Sequence, residues 1–192
     1  MGRKRKINKL ELFQSTEKLL LIYGYDQFHF KILAKELNVA RSTVYDYFAN
    51  KEELVTEYMC DLMGRVNLEL IKLKPIQSPL DRLKRMLKVF FTFSHIHNVL
   101  QIAHVINRGT SEKVEQNMQK LDNYHHEFFG MIISWIQEGQ EKGELRPEIS
   151  SSIIAGLFFT SIQIPNMENL KPDEWREAIF QAICEGIIQK NS

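Results

Sequence analysis

The sequence predicts an all-α protein of about nine helices, because helical periodicity recurs along the chain and strand patterns are nearly absent. No stretch alternates apolar and polar residues between hairpin turns. The periodic segments are separated by glycine, proline and asparagine residues, which typically end helices. The predicted helices cover about residues 8–23, 31–37, 40–47, 50–73, 79–97, 99–108, 111–141, 149–164 and 172–190.

The first four helices follow from apolar stripes and terminal signals. In the first, one face is formed by Leu12, Phe13, Thr16, Leu19 and Leu20. Gly24 is placed to end that helix, and Asn38 suits the turn between the next two because Asn tolerates the left-handed conformation. Asn50 is a candidate N-cap for the fourth helix, which ends before Pro75 and Pro79.

The later helices are separated by turn signals. These lie at residues 107–109, at 142–147 and between Pro165 and Pro172. The last helix has the clearest stripe, formed by Trp175, Ala178, Ile179, Ala182, Ile183, Gly186 and Ile187. Such a stripe on an end helix packs either on its own domain or on a partner subunit.

Charge is unevenly distributed. Residues 1–51 carry ten Lys/Arg and five Asp/Glu, a net charge of +5, whereas the remainder carries −4. A basic first quarter indicates that one end of the protein faces a polyanion, although a solvated surface can carry the same excess. No apolar run reaches the length of a membrane span, and the basic N-terminus leads into no secretory core. We therefore expect a cytoplasmic protein without a membrane partner, in which Cys60 and Cys184 are reduced.

Residues 24–54 have the physical parts of a helix-turn-helix. A small core can form from Leu33, Ala34, Leu37, Val39, Val44 and Phe48. The second helix of the motif is expected to expose side chains suited to phosphates and base edges, namely Arg41, Ser42, Thr43, Tyr45, Asp46 and Tyr47. The alternative is a three-helix bundle that makes no contact with DNA.

The same segment resembles the TetR family of regulators. The resemblance lies in Gly24–Tyr25, Leu33–Ala34, Val39, Thr43–Tyr45, Tyr47–Phe48 and Lys51–Leu54. It implies a DNA-binding domain over residues 1–54 and a helical regulatory domain over 55–192. It also implies that Arg41, Ser42 and Thr43 face the major groove, that Tyr45 and Tyr47 contact the backbone or a base methyl, and that Lys51 reaches a phosphate. The basic residues 3–6 would add nonspecific phosphate contacts.

Three departures from the family pattern affect these assignments. Phe28 and His29 stand where the family usually has Thr or Ser, so a hydroxyl cap and phosphate contact is missing or moved. His29 remains a candidate DNA contact, although a histidine in such a position is more often a surface residue than one that contacts a base. Asn38 replaces the turn glycine, and Ala40 replaces a capping Ser, which should cost the recognition helix about 1 kcal/mol.

The resemblance also implies a small-molecule pocket in the second domain. Our candidate ligand-binding residues there are Phe90, Phe91, Ser94, His104, Tyr124, Phe128, Trp135 and Phe159. A plain hydrophobic core explains this composition at least as well. If a ligand binds, the aromatic and nearly uncharged set favours a hydrophobic or planar compound, which would change the spacing of two DNA-binding heads.

We expect a homodimer formed through the last two helices, at about 149–164 and 172–190, bound to a palindromic operator. Small residues at Gly156, Thr160 and Ala182 would allow close approach, and Ile153, Leu157, Ile179 and Ile183 would supply apolar area. The function predicted is that of a repressor released by its ligand. The alternative is a ligand-independent nucleoid-associated or protein-interaction module.

Catalytic functions find no support in the sequence. It contains no Gly-rich phosphate loop, nucleophile elbow or paired-His metal motif. His95 and His97 lie two residues apart, which places them on different faces of a helix, and adjacent His125 and His126 are no better suited to share a metal. We expect no enzymatic activity, no cofactor and no metal site.

Overall fold

The computed structural model describes residues 6–93 and 101–188, and these form eight α-helices with no strand beyond one isolated bridge. The helices are α1 Lys9–Gln27, α2 Phe30–Glu36, α3 Arg41–Tyr45, α4 Lys51–Ile71, α5 Pro79–Thr92, α6 Glu112–Glu141, α7 Ser151–Ser161 and α8 Pro172–Ile187. Two single-turn 3-10 helices, Ile102–His104 and Arg108–Thr110, precede α6. The predicted all-α class is therefore confirmed.

The chain divides into two compact units. Unit 1 contains the described residues of Met1–Met63 and His95–Asn123, and unit 2 those of Gly64–Ser94 and Tyr124–Ser192. Helices α4 and α6 each contribute residues to both units. The sequence-based division at residue 54 stays a prediction, since unit 1 contains all of that segment together with a later part of the chain.

Unit 1 is organised around the helix-turn-helix. Val44 is completely buried against α2, and Leu33 and Leu37 complete the small apolar core. Asn38 has φ 52°, and the Val39 amide donates to the Ala34 carbonyl across the turn at 3.0 Å. This confirms Asn38 as the left-handed turn residue, a conformation that Asn adopts at lower cost than most side chains.

Helix α1 changes direction at Gly24. Its backbone there has φ 71° and ψ 172°, so regular helical geometry stops where the sequence predicted. The following residues form one further turn, and the Phe28 amide donates to the Tyr25 carbonyl at 3.2 Å. Because of this break, Tyr25 leaves the axis of α1 and contacts the first turn of α4.

The beginning of α6 belongs to unit 1 through polar contacts with α4. Asn117 Nδ2 donates to Thr56 Oγ1 at 3.0 Å, and Ser111 Oγ donates to Glu53 at 2.8 Å. Glu57 pairs with Lys9 at 2.8 Å and with Lys113 at 2.7 Å. The helix that follows the recognition helix is thus fixed to both α1 and α6.

Unit 2 combines an apolar core with one buried guanidinium. Arg82 donates to both carboxylate oxygens of Glu138, at 2.6 and 2.8 Å, and to the Ile76 carbonyl at 2.7 Å. The hydrogen bonds from Arg82 and Lys142 lower the pKa of Glu138 to about 2. Since the guanidinium is satisfied on several sides, it can remain buried in α5.

A turn after α6 is held against the end of α8. Gly143 has φ 71°, and the Arg146 amide donates to the Ile187 carbonyl at 2.8 Å. Gly139 makes a close approach to Leu145, because a Cβ there would lie 2.8 Å from Leu145 Cδ1. The predicted turn at residues 143–147 is confirmed.

The helix predicted at 99–108 is wrong over residues 102–108. Ile102–His104 and Arg108–Thr110 form two single 3-10 turns instead, with a non-helical link between them. Asn107 Oδ1 accepts from the Gly109 amide at 3.0 Å, and Arg108 pairs with Asp122 at 2.9 Å. A side chain that bonds to its own neighbouring backbone competes with helix formation, which is the physical reason for the error.

The two cysteines are free and buried. Burial raises the pKa of each thiol, Cys60 and Cys184, to about 11. Within residues 6–93 and 101–188, no helix combines the length and apolarity needed to cross a bilayer. The same described residues contain no group of three or more His, Cys, Asp or Glu side chains placed to hold a metal.

Candidate DNA-binding site

The recognition helix α3 presents one buried and one exposed face. Arg41, Ser42 and Tyr45 are exposed, and Tyr47 is exposed just beyond the helix. Thr43 is only 5% exposed, so the prediction that this side chain is exposed is wrong. In a helix of five residues that packs through Val44, the neighbouring position 43 also turns inward toward α2.

Arg41 and Tyr45 form a pair on the exposed face. Arg41 Nη2 donates to Tyr45 Oη at 2.8 Å, and the guanidinium carbon lies 5.3 Å from the centre of the tyrosine ring. The edge of Tyr45 packs on Phe30, with ring centres 4.9 Å apart and planes at 69°. Phe30 is buried at the start of α2, so the pair is supported by the core of the motif.

Tyr47 is bonded to the N-terminal segment. Its hydroxyl accepts from the Ile7 amide at 3.0 Å, and the Ile7 side chain is buried. Lys6, the last residue of the basic run, is exposed next to this anchor. The basic run is therefore fixed at its C-terminal end beside the end of α3.

His29 supplies the N-cap of α2, which was predicted to be missing or moved. It is the N-cap of α2, and its Nδ1 accepts from the Ile32 amide at 3.3 Å. An accepting Nδ1 is unprotonated, which assigns the proton of the neutral ring to Nε2. The ring is exposed, so Nε2–H is available as a donor to an external group.

The recognition helix itself begins without a side-chain cap. Ala40 is its N-cap and makes no capping hydrogen bond, as the sequence predicted. The Thr43 amide donates to the Ala40 carbonyl at 2.9 Å, so the first turn closes through the backbone alone.

Lys51 lies at the first turn of α4 and is bonded to Tyr25. Its Nζ donates to the Tyr25 carbonyl at 3.2 Å and lies 4.1 Å from the centre of the Tyr25 ring. Tyr25 Oη donates to Glu52 at 3.0 Å, and burial followed by the charge of Glu52 raises the tyrosine's pKa well above 10. An ammonium has three donors, so Lys51 can hold Tyr25 and still reach a phosphate.

Three residues that support this site were not predicted from the sequence. Ile7 anchors the basic run, Phe30 supports Tyr45, and Lys113 places its Nζ 4.7 Å from the centre of the Phe48 ring. Ile7 and Phe30 carried a detectable signal, since Ile7 is an apolar residue between Lys6 and Asn8 and Phe30 is an apolar residue within the motif itself. Lys113 carried none, because it lies more than sixty residues along the chain.

The candidate ligand residues are only partly brought together. Phe90, Phe128 and Phe159 form a cluster in unit 2 with ring centres 5.2–5.4 Å apart. Phe90 and Phe128 are buried, and Phe159 is partly exposed. Phe129 stacks on the same cluster, 5.8 Å from Phe159, although it was not among the candidates.

The other candidates lie apart from that cluster or are not described. Trp135 is buried beside Arg82, whose guanidinium carbon lies 5.9 Å from its ring. The Tyr124 hydroxyl approaches Gly64, where a Cβ would lie 3.3 Å from it, and Phe91 is partly exposed. His104 is exposed in unit 1, whereas the others belong to unit 2. Ser94 lies outside the described residues, as do His95 and His97.

A helix-turn-helix with a buried inner face and exposed Arg, Ser and Tyr side chains defines a DNA-binding protein of the transcription-regulator class. Residues 12–58 match the model of the family described as "Bacterial regulatory proteins, tetR family". The match covers the helix-turn-helix segment, so the first part of the chain is similar to the N-terminal domain of TetR-family regulators.

Several similar proteins align with nearly the whole chain. The fatty acid metabolism regulator protein of Bacillus subtilis is 22% identical over 186 residues, which is 94% of this chain and 96% of that protein. AibR in complex with isovaleryl coenzyme A and operator DNA aligns with a TM-score of 0.75 at 15% identity, over 91% of this chain and 96% of AibR. FadR from Bacillus subtilis in complex with stearoyl-CoA aligns with a TM-score of 0.68 at 16% identity, over 93% and 99%. These relatives are regulators rather than enzymes.

Proposed function

We propose that the protein is a homodimeric repressor that binds a palindromic operator through α3 and leaves it when a hydrophobic effector binds unit 2. The observation that carries this proposal is the exposed face of α3. That face offers DNA the hydrogen-bond donors of Arg41 and Ser42 and the aromatic ring of Tyr45. Val44 is buried and packs α3 onto the core of the motif.

Phosphate contacts are proposed for the groups that surround α3. His29 offers Nε2–H, Lys51 offers its remaining ammonium donors, and Tyr47 holds Ile7 so that the basic residues 3–6 start beside the motif. These groups would supply affinity that does not depend on base sequence and that falls as salt rises. Thr43 would support Val44 rather than contact a base, since it is buried.

A second copy of the chain is proposed to cover the exposed face of α7 and α8. Ile153 is 59% exposed and Leu157 43% exposed, one turn apart on α7. On α8 the exposed residues include the small side chains Ala178 and Ala182. Ile179, which the sequence analysis also expected here, is 5% exposed within its own chain, so that part of the expectation is wrong.

The dimer has a direct test in Ile153→Asp. A carboxylate at the centre of an apolar interface loses water without gaining a partner, so we expect a shift to monomer in sedimentation equilibrium. Leu68→Asp is the matched control, because Leu68 is 62% exposed on α4, outside the proposed interface. Equal dimer constants for both variants and the unmodified protein would reject this interface.

Acyl-coenzyme A thioesters are the proposed effectors to test first. The aromatic cluster of Phe90, Phe128 and Phe159 offers apolar contact to an acyl chain. AibR and FadR, which share the fold, are bound to isovaleryl coenzyme A and stearoyl-CoA. The effector would act by binding more tightly to a conformation that does not fit the operator, since only a difference in affinity shifts the equilibrium.

The decisive experiment is selection of preferred sites from random duplex DNA, followed by titration of the selected duplex at two salt concentrations. We expect a palindrome bound by a dimer at least about 1000-fold more tightly than random DNA, with a steep salt slope. Addition of stearoyl-CoA or isovaleryl-CoA, with free coenzyme A as the control, then tests release. Uniform weak binding would favour an architectural protein, and no binding would reject the proposal.

A further inference from the structure

The contact between Arg41 and Tyr45 joins two exposed side chains of the recognition helix. The two residues lie four apart on α3 and therefore share one face. Arg41 donates to the tyrosine hydroxyl at 2.8 Å and lies against the same ring, with 5.3 Å between guanidinium carbon and ring centre. Tyr45 is in turn set against Phe30 by an edge contact at 4.9 Å.

This arrangement restricts an otherwise mobile side chain. An exposed arginine samples many rotamers and loses that freedom when it binds. Tyr45 has two side-chain torsions, and its ring packs against the buried ring of Phe30 with centres 4.9 Å apart. The tyrosine is therefore a fixed support, and its hydroxyl determines where the guanidinium lies before any DNA is bound.

The remaining donors of Arg41 suit one base in particular. A guanidinium has five N–H donors, and Tyr45 uses one of them. The others can still form the two parallel bonds that guanine accepts at O6 and N7 in the major groove. Adenine and thymine present no such pair of acceptors at one edge, so a fixed arginine favours a G·C pair.

We propose that Tyr45 is a positioning residue that orients Arg41 toward a guanine in each half-site. In this role Tyr45 acts on base preference through Arg41 and makes no base or phosphate contact with its hydroxyl. Phe30 takes part indirectly by fixing the tyrosine ring. The inference rests on the proposed function, since it requires that α3 contacts base edges.

The test is a double-mutant cycle on the full-length protein with the duplex selected from the random pool. The variants are Arg41→Ala, Tyr45→Phe and the double variant, each titrated against that duplex and against duplexes changed at single half-site positions. Tyr45→Phe keeps the ring against Phe30 and removes only the exposed hydroxyl. Thermal unfolding of each variant serves as the check on folding.

We expect Arg41→Ala to lose preference at one G·C pair of each half-site. Tyr45→Phe should weaken the discrimination at that same pair by roughly 3- to 10-fold, the range of a single hydrogen bond. It should leave the salt slope unchanged, because no phosphate contact is lost. In the Arg41→Ala background, Tyr45→Phe should have no further effect.

Tyr47→Phe provides the contrast, because its hydroxyl is bonded to Ile7 and not to Arg41. It should lower affinity for all duplexes alike. The proposal is overturned if Tyr45→Phe also acts uniformly, if its effect persists without Arg41, or if base preference is unchanged in either Arg41→Ala or Tyr45→Phe. If the unmodified protein itself shows no preferred site, the proposed function fails instead, and the two failures are thereby distinguished.

Discussion

Each of the two units has an apolar core, and the described residues of the two differ in the further contacts that accompany that core. In unit 1, hydrogen bonds join groups far apart in the chain, as in Tyr47 Oη with the Ile7 amide and Asn117 with Thr56. In unit 2, aromatic rings pack on one another, and a buried guanidinium, that of Arg82, pairs with Glu138. Polar contacts require a fixed geometry, whereas aromatic packing tolerates exchange of one apolar surface for another. The comparison predicts that apolar contacts are exchanged more easily in unit 2 than the hydrogen bonds of unit 1.

The largest effect is expected from Phe128→Ala in unit 2. This change removes a buried ring that touches both Phe90 and Phe159, so the free energy of unfolding should fall by about 3 kcal/mol. Urea denaturation measures it. Phe129→Ala, at a partly exposed position on the same helix, should cost clearly less, and equal losses would show that the cluster does not form a packed core.

The next effect concerns the charge cluster of unit 2 and depends on pH. The pKa of Glu138 is about 2 in the folded protein, lowered from 4.5 by hydrogen bonds from Arg82 and Lys142. A lowered pKa stabilises the fold fully above about pH 4.5, and this stabilisation is lost as pH falls toward 2. Glu138→Gln should therefore be less stable than the unmodified protein at pH 6, with the difference shrinking toward pH 2.

Urea denaturation at several pH values tests that expectation. Glu127→Gln is the control, since Glu127 is exposed on the same helix. A difference between the Glu138→Gln variant and the unmodified protein that stays constant from pH 6 to pH 3 would contradict the assigned role of the carboxylate.

A smaller effect is expected from Asn117→Ala in unit 1. The change removes the hydrogen bond to Thr56 Oγ1 and should cost about 1 kcal/mol of unfolding free energy. Asn123→Ala, at an exposed position of α6, should change stability by less than about 0.5 kcal/mol. If the two variants were indistinguishable, polar cross-links would not explain how unit 1 is held together.

The smallest effect is a gain of stability from Ala40→Ser. A serine hydroxyl at this N-cap can accept from the amides of the first turn of α3, which now has no side-chain cap. We expect a gain of up to about 1 kcal/mol in thermal or chemical unfolding. Ala49→Ser, at an exposed position outside the cap, should be neutral, and a loss at position 40 would show that the helix start is constrained by another contact.

Local signals explain which parts of the fold were predictable. The starts of α5 and α8 coincide with Pro79 and Pro172, and the turn at Asn38 has the predicted left-handed backbone. Prolines, caps and left-handed turns act within a few residues, so the sequence alone determines them. Eight of the helices were anticipated on this basis, with bounds that differ by up to five residues at the described ends.

The errors have two causes, packing between elements at Thr43 and Ile179 and local side-chain bonding at residues 102–108. Packing decides that Thr43 and Ile179 are buried, and the pair of Arg108 with Asp122 belongs to a turn where a helix was expected. The cap of α2 is a local feature that was left unassigned, since the His29 imidazole nitrogen accepts from the Ile32 amide where the family pattern has a hydroxyl. In unit 2 the same aromatic composition suits a core or a ligand site, so the sequence predicted the residues of the cluster but not its use.

The hydrogen bond from the Ile7 amide to Tyr47 Oη also sets the effective concentration of the neighbouring basic residues near α3. The cations at residues 3–6 lie within four residues of Ile7 along the sequence, so even a fully extended segment would keep their backbone within about 14 Å of that anchor. A short tether of this kind presents its charges to a nearby phosphate at a local concentration in the millimolar range. Once α3 has docked, binding of these cations becomes an intramolecular step, which should lengthen the residence time of the protein on any duplex.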